Sequence, residues 1–235
     1  MLQAVLFDLD DTLLGNDMDV FVARYFELLG EYSKGTVDPR RLHDALLLGT
    51  RAMFENDDRS RTNADAFWER FAAHAGMTRE RGEPFFEVFY RTVFPRLERL
   101  TRRRPTARRL VELCAQRGWP VVIATNPVFP LIAIEERLRW AGIPVTEHAF
   151  ALVTSYENMH STKPRPDYFL EIADHLGIDP SLILMAGNDP EQDIAPARRC
   201  GMQTYTVVDS PASAATDLSE RHGTLDDLFA WLTTR

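Results

Sequence analysis

Apolar residues follow one spacing in the first part of the chain and another in the second. A continuous apolar run at residues 2–7 predicts a short buried strand, and from residue 15 to residue 100 apolar side chains recur every three or four residues. That spacing is typical of amphipathic helices, and four such segments follow one another without a convincing strand pattern between them. Residues 15–100 are therefore predicted to form a small helical bundle.

Capping residues and prolines set the expected limits of these helices. Asp38 and Pro39 supply an N-cap and a proline at the first helical position of the second helix. Asn63 is a candidate cap for the third helix, and Pro95 is expected to end or kink the fourth, because proline lacks a backbone donor and clashes with the preceding turn. The many aromatic side chains of these segments are expected to form the core of the bundle.

Beyond residue 105 short apolar runs alternate with amphipathic segments. Helices are predicted at residues 106–117, 132–141, 166–176, 194–200 and 225–232, and strands at residues 120–124, 149–153, 182–186 and 203–208. This alternation is typical of a parallel sheet with helices on both faces. The prediction is an α/β fold in which residues 1–14 and 101–235 form the core domain and residues 15–100 are an inserted helical domain.

Charge and composition restrict the classes of function. A hydrophobic content of 45% and a charged content of 26% are ordinary for a globular protein. The formal net charge is −8, and residues 167–235 hold 4 Arg against 12 Asp and Glu, so binding to nucleic acid or to an anionic membrane is not expected. Cys114 and Cys200 are isolated and are expected to be buried free thiols. The absence of a signal-peptide pattern and of an apolar run of about 20 residues predicts a cytoplasmic protein with no membrane span.

Polar residues follow four of the predicted strands, at or beyond the point where each strand ends. They are Asp8, Thr125, Asn126, Lys163, Asn188 and Asp189. Because ligands bind at the carboxyl ends of the strands in an open parallel sheet, we expect these side chains to meet at one edge of the sheet. Lys163 is also unusual in kind, since the chain contains 25 Arg and only two Lys, which indicates a position that requires a compact charge.

Four short motifs, in order, resemble those of the haloacid dehalogenase superfamily. Residues 8–12 (DLDDT) match the first motif, D-x-D-x-[TV]; Thr125 resembles the second, Lys163 with Pro164 the third, and residues 187–193 (GNDPEQD) the acidic fourth. The order and approximate spacing agree along nearly all of the chain, and the inserted helices resemble the C1-type cap of that family. The resemblance implies a Rossmann-like parallel-sheet core with an inserted α-helical bundle cap domain.

The resemblance also implies a role for each residue. Asp8 would attack phosphorus to form an aspartyl-phosphate, and Asp10 would protonate the leaving alcohol and later activate water. Thr125 and the backbone N–H of Asn126 would bind phosphoryl oxygens, and the catalytic Lys163 would balance charge on them and on Asp8. The implied cofactor is Mg²⁺, which would neutralise the approaching anions. Its implied ligands are Asp8, the backbone carbonyl of Asp10, Asn188 and Asp189.

Two positions depart from the family pattern. Residue 127 is proline, which offers no N–H to a phosphate, whereas the family more often has a small residue there. In the fourth motif Asn188 precedes Asp189 where Gly-Asp is more usual. Counting forward from Gly187 favours Asn188 as the metal ligand, and counting back from Asp193 favours Asp189. We expect the pair to supply the metal together, with Asp193 behind it or bound through water.

The function that these features indicate is that of a Mg²⁺-dependent phosphatase acting on a small phosphorylated metabolite. A helical cap over the site should exclude folded macromolecules, and Arg51, Arg59 and Arg61 are candidates for binding a second anionic group of the substrate. A phosphomutase would use the same residues and is an alternative, whereas a dehalogenase has no use for Asp10. A phospho-acceptor domain without turnover is disfavoured, because it would carry the acceptor on its third strand and need no helical insertion. No sequence feature indicates an oligomeric state.

Overall fold

The computed structural model describes residues 2–209 and 221–235, and within them six strands form one sheet. The strands are Ala4–Phe7 (β1), Val121–Ile123 (β4), Leu152–Val153 (β5), Ile183–Gly187 (β6), Gln203–Val207 (β7) and His222–Gly223 (β8). Their order is β5-β4-β1-β6-β7-β8, and every neighbouring pair is parallel. Two further strands, Leu14–Asn16 (β2) and Thr101–Arg103 (β3), form an antiparallel ribbon. The predicted α/β fold with a parallel sheet is confirmed.

Strand β1 lies at the centre of the sheet, between β4 and β6. Val5 is in register with Val121 on β4 and with Leu184 on β6. All four residues of β1 are fully buried, as expected for a parallel strand that is covered on both faces and reads as a continuous apolar run. The carboxyl end of β1 therefore opens between two neighbouring strand ends, in the middle of one edge of the sheet.

Five helices of the described chain cover the two faces of the sheet. They are Pro105–Gln116 (α5), Leu131–Ala141 (α6), Pro166–Leu176 (α7), Ala195–Arg199 (α8) and Leu225–Thr233 (α9). Val5 and Phe7 belong to the hydrophobic core that includes residues of α5, α6 and α9, whereas Ala4 and Leu6 belong to the core on the side of α7 and α8. Alternate residues of β1 thus point into two separate cores.

Four helices lie between β2 and β3, and four helices are what the sequence predicts for this part of the chain. They are Met18–Ser33 (α1), Pro39–Phe54 (α2), Asn63–Ala75 (α3) and Arg79–Thr92 (α4), and a 3₁₀ helix, Phe94–Leu100, follows them. Asp38 caps α2 by accepting from the N–H of Arg41 at 2.9 Å. Helix α4 ends before Pro95, and aromatic residues such as Phe71 and Phe89 are fully buried in the core of these helices.

The third helix begins differently from the prediction. Thr62, not Asn63, is the N-cap: its hydroxyl accepts from the N–H of Asp65, and the Asp65 carboxylate accepts from the N–H of Thr62. Asn63 is the first helical residue and is fully buried, and its side chain donates to the carbonyl oxygen of Ser161 at 3.1 Å. Asn63 therefore joins α3 to the loop that precedes α7.

Several short elements differ from the sequence prediction. The ribbon pairs Gly15 with Arg102. The sequence analysis predicts a strand at neither segment, because residues 15–100 are predicted to be helical and residues 101–105 carry no prediction. The predicted helix at residues 194–200 is a π-helical turn, Pro190–Ile194, followed by α8, and β8 has no counterpart in the prediction. Cys114 is buried as predicted, but Cys200 is only partly buried. The missed strands β2, β3 and β8 (LGN, TRR and HG) lack the continuous apolar run that indicates strands such as β1 and β6 in the sequence.

Among the described helices, none has both the length and the apolar character that spanning a bilayer requires. The division of the chain into a core domain of residues 1–14 and 101–235 and a cap domain of residues 15–100 stays a prediction.

Candidate active site

A buried lysine joins two carboxylates at the carboxyl edge of the sheet. Asp8 follows β1, and Lys163 lies in the loop between β5 and α7. The Lys163 Nζ atom donates to Asp8 Oδ1 at 2.8 Å and to Asp193 Oδ1 at 2.5 Å. These three residues are 2% (Lys163), 7% (Asp8) and 1% (Asp193) exposed. One cation is therefore shared by two carboxylates in a place that water barely reaches.

The other predicted site residues line the same cavity, which we call the aspartate cavity. Its volume is about 760 Å³, and it lies where β1, β4 and β6 end. The predicted residues that line it are Asp8, Asp10, Thr125, Asn126, Lys163, Asn188 and Asp189. The structure thus brings together, from distant parts of the chain, every residue that the sequence analysis assigned to catalysis, to phosphate binding or to the metal.

The charges of the aspartate cavity are unbalanced. Eight aspartates line it, against Lys163 and Arg102 as the lining cations. Burial raises the pKa of Asp8 to about 7, with Lys163 opposing the effect and Asp193 adding to it. Burial by itself lowers the pKa of Lys163, but attraction to Asp193 and Asp8 outweighs it and raises that pKa, so Lys163 stays charged. The cavity carries an excess of negative charge that a divalent cation would offset.

Arg137 contacts Asp10, and the sequence analysis did not single it out. Its guanidinium forms an ion pair with Asp10 Oδ2, while Asn16 Nδ2 donates to Asp10 Oδ1 at 3.0 Å. Arg137 is 1% exposed, and its guanidinium lies 4.8 Å from the ring centroid of Phe129. The signal in the sequence is an arginine beside Leu138 within the buried stripe of α6, a position where a charge needs a partner.

Asp11 holds the turn between β1 and β2. Its backbone adopts a positive φ of 56°, which is uncommon for a residue with a side chain. Its N–H donates to Asn16 Oδ1 at 2.9 Å, and its carboxylate pairs with Arg104 at 2.8 Å. Arg104 also pairs with Asp209 at 2.7 Å. One buried guanidinium therefore connects the turn after β1 to the end of the ribbon and to the segment after β7.

Two hydroxyl groups fix the end of β4. The carbonyl oxygen of Thr125 accepts from Thr154 Oγ1 at 2.7 Å and from the Tyr168 hydroxyl at 2.9 Å. The next residue, Asn126, has a buried Oδ1 atom with no hydrogen-bond partner among the described residues. A buried acceptor without a partner is unusual in a folded protein, and a donor on a bound molecule would satisfy it.

Asn188 and Asp189 are both held in place by the protein. Thr12 Oγ1 donates to Asn188 Oδ1 at 3.1 Å and accepts from the N–H of Asn188 at 3.0 Å. Asp189 Oδ1 accepts from the N–H groups of Glu191 and Gln192 at 2.8 and 3.0 Å, which caps the following turn. A carboxylate offers about four lone-pair directions, so Asp189 can still bind a cation.

Gly187 leaves room for Asp193. A Cβ atom at position 187 would lie 2.2 Å from Asp193 Oδ2. That oxygen accepts from the N–H of Asp189 at 3.2 Å, while Oδ1 of the same carboxylate binds Lys163. Asp193 therefore orients both the lysine and the fourth motif.

Oxygen atoms of the kind that Mg²⁺ prefers line the aspartate cavity. Within residues 2–209 and 221–235, no group of three or more His, Cys, Asp or Glu side chains is arranged to hold a metal ion. The ligand set implied by the family differs from such a cluster, because it combines the Asp8 carboxylate with the Asp10 carbonyl and oxygens of Asn188 and Asp189. These hard oxygen donors and the surplus of negative charge fit a Mg²⁺ ion that keeps several water ligands.

Comparison with known proteins identifies the family. A family model described as a haloacid dehalogenase-like hydrolase matches residues 2–201. The chain belongs to this family. It is therefore an enzyme of the hydrolase class, and the resemblance inferred from the four motifs is confirmed.

Relatives and solved structures agree with this assignment. The chain is 29% identical over 232 residues to the N-acetylmuramic acid 6-phosphate phosphatase of Pseudomonas aeruginosa, covering 94% of this chain and 91% of that protein. A HAD phosphatase from Thermococcus onnurineus has a TM-score of 0.59 at 19% identity, with 98% of each chain covered. A 2-haloacid dehalogenase from Pseudomonas syringae has a TM-score of 0.65 at 23% identity, with 100% of this chain and 99% of that chain covered. At these identities the two solved structures support the fold alone.

Proposed function

We propose that this hydrolase is a Mg²⁺-dependent phosphatase that hydrolyses a small phosphate monoester through an aspartyl-phosphate on Asp8. The observation that carries the proposal is the buried contact of Lys163 with Asp8 and Asp193, in the same cavity as Thr125 and Asn126. A carboxylate beside a fixed cation and next to groups that can bind phosphate is the arrangement that phosphoryl transfer to an aspartate requires. The phosphatase among the relatives supports the same class of reaction.

Lys163 determines which oxygen of Asp8 can react. Oδ1 accepts from the Lys163 Nζ atom, which leaves Oδ2 to attack phosphorus. The Oδ2–P bond forms as the bond between phosphorus and the ester oxygen breaks, which gives the aspartyl-phosphate. In the second step water attacks the same phosphorus, the Oδ2–P bond breaks, and inorganic phosphate leaves with Asp8 restored.

Asp10 moves the proton in each step. Its carboxyl group protonates the ester oxygen as the alcohol leaves, and the resulting carboxylate accepts a proton from the attacking water. Asn16 and Arg137 each bind one oxygen of this side chain, which holds it at the wall of the aspartate cavity. The Asp10 side chain is therefore held at the cavity wall, in the same cavity as Asp8, before substrate binds.

Thr125, Asn126 and Lys163 would bind the phosphoryl oxygens. The hydrogen bonds of Thr154 and Tyr168 to the Thr125 carbonyl oxygen hold this segment of backbone, so the donors are presented in a fixed geometry. Because residue 127 is proline, the loop contributes one N–H fewer than a loop with an ordinary residue there.

Asp8, the Asp10 carbonyl oxygen, Asn188 and Asp189 are the residues that would hold Mg²⁺. When bound, the ion supplies the positive charge that lets an anionic carboxylate approach an anionic phosphate. The excess of aspartates around the cavity supports the binding of such a cation.

The test compares the protein with its Asp8→Asn variant. With Mg²⁺ and p-nitrophenyl phosphate, the protein is expected to release inorganic phosphate, and Asp8→Asn is expected to lose at least about 10³-fold in kcat, because the covalent route needs the carboxylate. Asp174→Asn, a change at an exposed aspartate of α7 outside the aspartate cavity, is the matched control and should keep full activity.

Other outcomes would contradict the proposal. Phosphate release that persists in Asp8→Asn would exclude Asp8 as the nucleophile. A long-lived phosphorylated Asp8 without release would indicate a phospho-acceptor, and transfer to a second alcohol instead of water would indicate a phosphomutase. N-acetylmuramic acid 6-phosphate, on which the Pseudomonas aeruginosa relative is named as acting, belongs among the first metabolites to assay.

A further inference from the structure

A second cavity, which we call the aromatic cavity, lies between helices α1–α4 and the loop that follows β4. Its volume is about 530 Å³, which suits a small organic molecule. Its walls include the rings of Tyr25, Trp68, Phe86, Tyr90, Phe129 and Tyr156. Leu47 and Phe54 of α2 also line it and are 48% and 43% exposed, so the cavity reaches solvent beside α2.

The aromatic cavity adjoins the aspartate cavity. Met18 lines both, and the loop after β4 has Asn126 in the wall of the aspartate cavity and Phe129 in the wall of the aromatic cavity. Arg137 lines neither cavity but links their walls, because it pairs with Asp10 of the aspartate cavity and lies over the ring of Phe129 of the aromatic cavity. In the proposed reaction Asp10 protonates the leaving oxygen, so the alcohol leaves on the side where the aromatic cavity lies.

The aromatic cavity has no free cation for an anionic group. Among the described residues that line it, Arg91 is the only cation, and it pairs with Glu87 at 2.9 Å. Glu157 adds a further carboxylate, whereas Glu83 is paired with Arg79 at 2.6 Å. Both oxygens of Glu157 lie within hydrogen-bond distance of the N–H of Leu131, at 3.1 and 3.0 Å. A second negative charge on the substrate would be repelled by Glu157 here and by the aspartates of the adjoining cavity.

The arginines predicted to bind a second anionic group line neither cavity. Each is paired with a carboxylate instead: Arg51 with Glu55 at 2.7 Å, Arg59 with Asp167 at 2.8 Å and Arg61 with Glu69 at 3.0 Å. The structure thus removes the sequence-based reason to expect a doubly anionic substrate.

A pair of tyrosine hydroxyls offers a hydrogen bond to an uncharged group. The hydroxyls of Tyr25 and Tyr90 are 3.0 Å apart and buried, and they bond to each other. Two O–H groups that share one hydrogen bond leave one hydrogen free to donate, and neither hydroxyl forms a second hydrogen bond with the described residues. Burial raises the pKa of Tyr25 to about 12, so its hydroxyl stays protonated. A carbonyl or ether oxygen on a bound molecule would satisfy this donor.

We propose that the aromatic cavity binds the alcohol portion of the substrate, and that this portion is uncharged, largely apolar and carries a carbonyl or ether oxygen. The inference rests on the proposed phosphatase function, because that function places the alcohol next to Asp10. The phosphate occupies the aspartate cavity, and the alcohol extends past Met18, whose unbranched side chain adapts easily to a neighbour. Phosphate esters whose alcohol carries a carboxylate are correspondingly poor substrates. N-acetylmuramic acid 6-phosphate, whose lactyl group ends in a carboxylate, is therefore expected to be a poor substrate of this enzyme, although the Pseudomonas aeruginosa relative is named as acting on it.

Two aryl phosphates that differ by one charge test this inference. One is a phenyl phosphate with a para methyl propanoate substituent, and the other is the same compound with the free carboxylate, so that the two phenols have nearly equal acidity. We expect kcat/KM for the ester to exceed that for the carboxylate by roughly 10-fold or more, the scale at which binding sites discriminate small substituents. Equal values, or a preference for the carboxylate, would overturn the inference.

A variant that fills the aromatic cavity gives a second measurement. Thr50 lines the cavity from α2, and Thr50→Trp is expected to lower the ratio of kcat/KM for the ester to kcat/KM for acetyl phosphate by roughly 10-fold, because the small acyl group does not need the cavity. Leu48→Trp, on the same helix but outside the lining, should leave the ratio unchanged. An unchanged ratio in a folded Thr50→Trp protein would count against the inference. If Thr50→Trp does not fold, the comparison of the ester with the carboxylate still tests the inference, because it uses the unmodified protein.

The outcomes separate this inference from the proposed function. Hydrolysis of acetyl phosphate without a preference for the uncharged ester would overturn the assignment of the aromatic cavity and leave the phosphatase function intact. No Mg²⁺-dependent hydrolysis of any of the three compounds would overturn the proposed function itself.

Discussion

Arg137 places a full positive charge in the apolar stripe of a helix, and Asp10 is the residue that compensates it. An unpaired charge in such a place costs several kcal/mol, so the pair is held together strongly. Together with the hydrogen bond from Asn16, the guanidinium fixes the direction of the Asp10 side chain at the cavity wall. Arg137 contacts Asp10 but does not line the aspartate cavity, so we regard it as a positioning residue.

Replacing Arg137 should therefore affect substrates unequally. Arg137→Met is expected to lower kcat/KM by roughly 10²-fold for an alkyl phosphate, whose poor leaving group depends on a well-placed proton donor. The loss should be much smaller for p-nitrophenyl phosphate, because its leaving group needs little protonation. Steady-state kinetics with both substrates measures the difference.

Two further variants control this experiment. Arg137→Lys retains a charge and should recover part of the lost activity. Arg139→Met, on the same helix but with a side chain 49% exposed and paired to Glu136, should behave like the unmodified protein. An equal loss on both substrates, accompanied by a lower Tm, would mean that Arg137 acts on stability alone.

At the scale of elements, two helices approach α3 closely where they carry glycine. A Cβ atom at Gly82 of α4 would lie 2.4 Å from the ring of Trp68, and one at Gly49 of α2 would lie 2.6 Å from the ring of Phe67. Glycine is entropically unfavourable inside a helix, so its presence at these two positions is explained by the close approach of the aromatic rings. These contacts also form part of the structure around the aromatic cavity, which Trp68 and Phe67 line.

Gly82→Ala is expected to destabilise the protein despite the higher helix propensity of alanine. The propensity gain is about 1 kcal/mol and overpacking costs about 1–3 kcal/mol, so the free energy of unfolding should fall, by up to about 2 kcal/mol. Gly30→Ala in α1 is the matched control, because the nearest atom to its Cβ would be Pro39 Cβ at 3.9 Å. Urea denaturation should show a gain of about 0.5–1 kcal/mol for Gly30→Ala. A gain of the same size for Gly82→Ala would contradict the packing seen here.

At the scale of the whole molecule, negative charge is concentrated at one edge of the sheet. Eight aspartates line the aspartate cavity, in a chain whose formal net charge is −8. Lys163 neutralises part of that charge at Asp8 and Asp193, and Arg104 does so at Asp11 and Asp209. The remaining repulsion should make the folded protein responsive to divalent cations.

Mg²⁺ is accordingly expected to raise Tm by a few °C, since a ligand that binds only the folded state stabilises it by mass action. The difference between Tm with Mg²⁺ and Tm with Na⁺ at equal ionic strength measures the part of the stabilisation that is specific to Mg²⁺. In a separate assay, removal of Mg²⁺ with EDTA should abolish phosphatase activity. Asn188→Ala and Asp189→Ala should each require more Mg²⁺ for the same rise in Tm, and the larger increase identifies the direct ligand. A Tm that responds equally to Na⁺ and Mg²⁺ would contradict a specific site.

Much of the fold followed from local pattern. The helix predicted at residues 166–176 coincides with α7, because Pro166 begins it and Gly177 ends it in the left-handed conformation. Apart from β8, the order of strands and helices after residue 105 is also predicted, since each apolar run and each amphipathic segment can be recognised by itself. The ribbon of β2 and β3 was missed, because its pairing joins two short segments that are distant in sequence.

The sequence by itself determined which residue types stand at the ends of the strands, because Asp8 and Thr125 each follow an apolar run directly and Asn188 follows one after a single glycine. Only the tertiary structure decided the partners: Arg137 for Asp10, carboxylates for the arginines of α2 and the loop before α3, and the aromatic cavity beside the aspartate cavity. The physical reason is that periodicity is a property of one segment, whereas a buried ion pair or a cavity exists only once segments far apart in the chain have packed together.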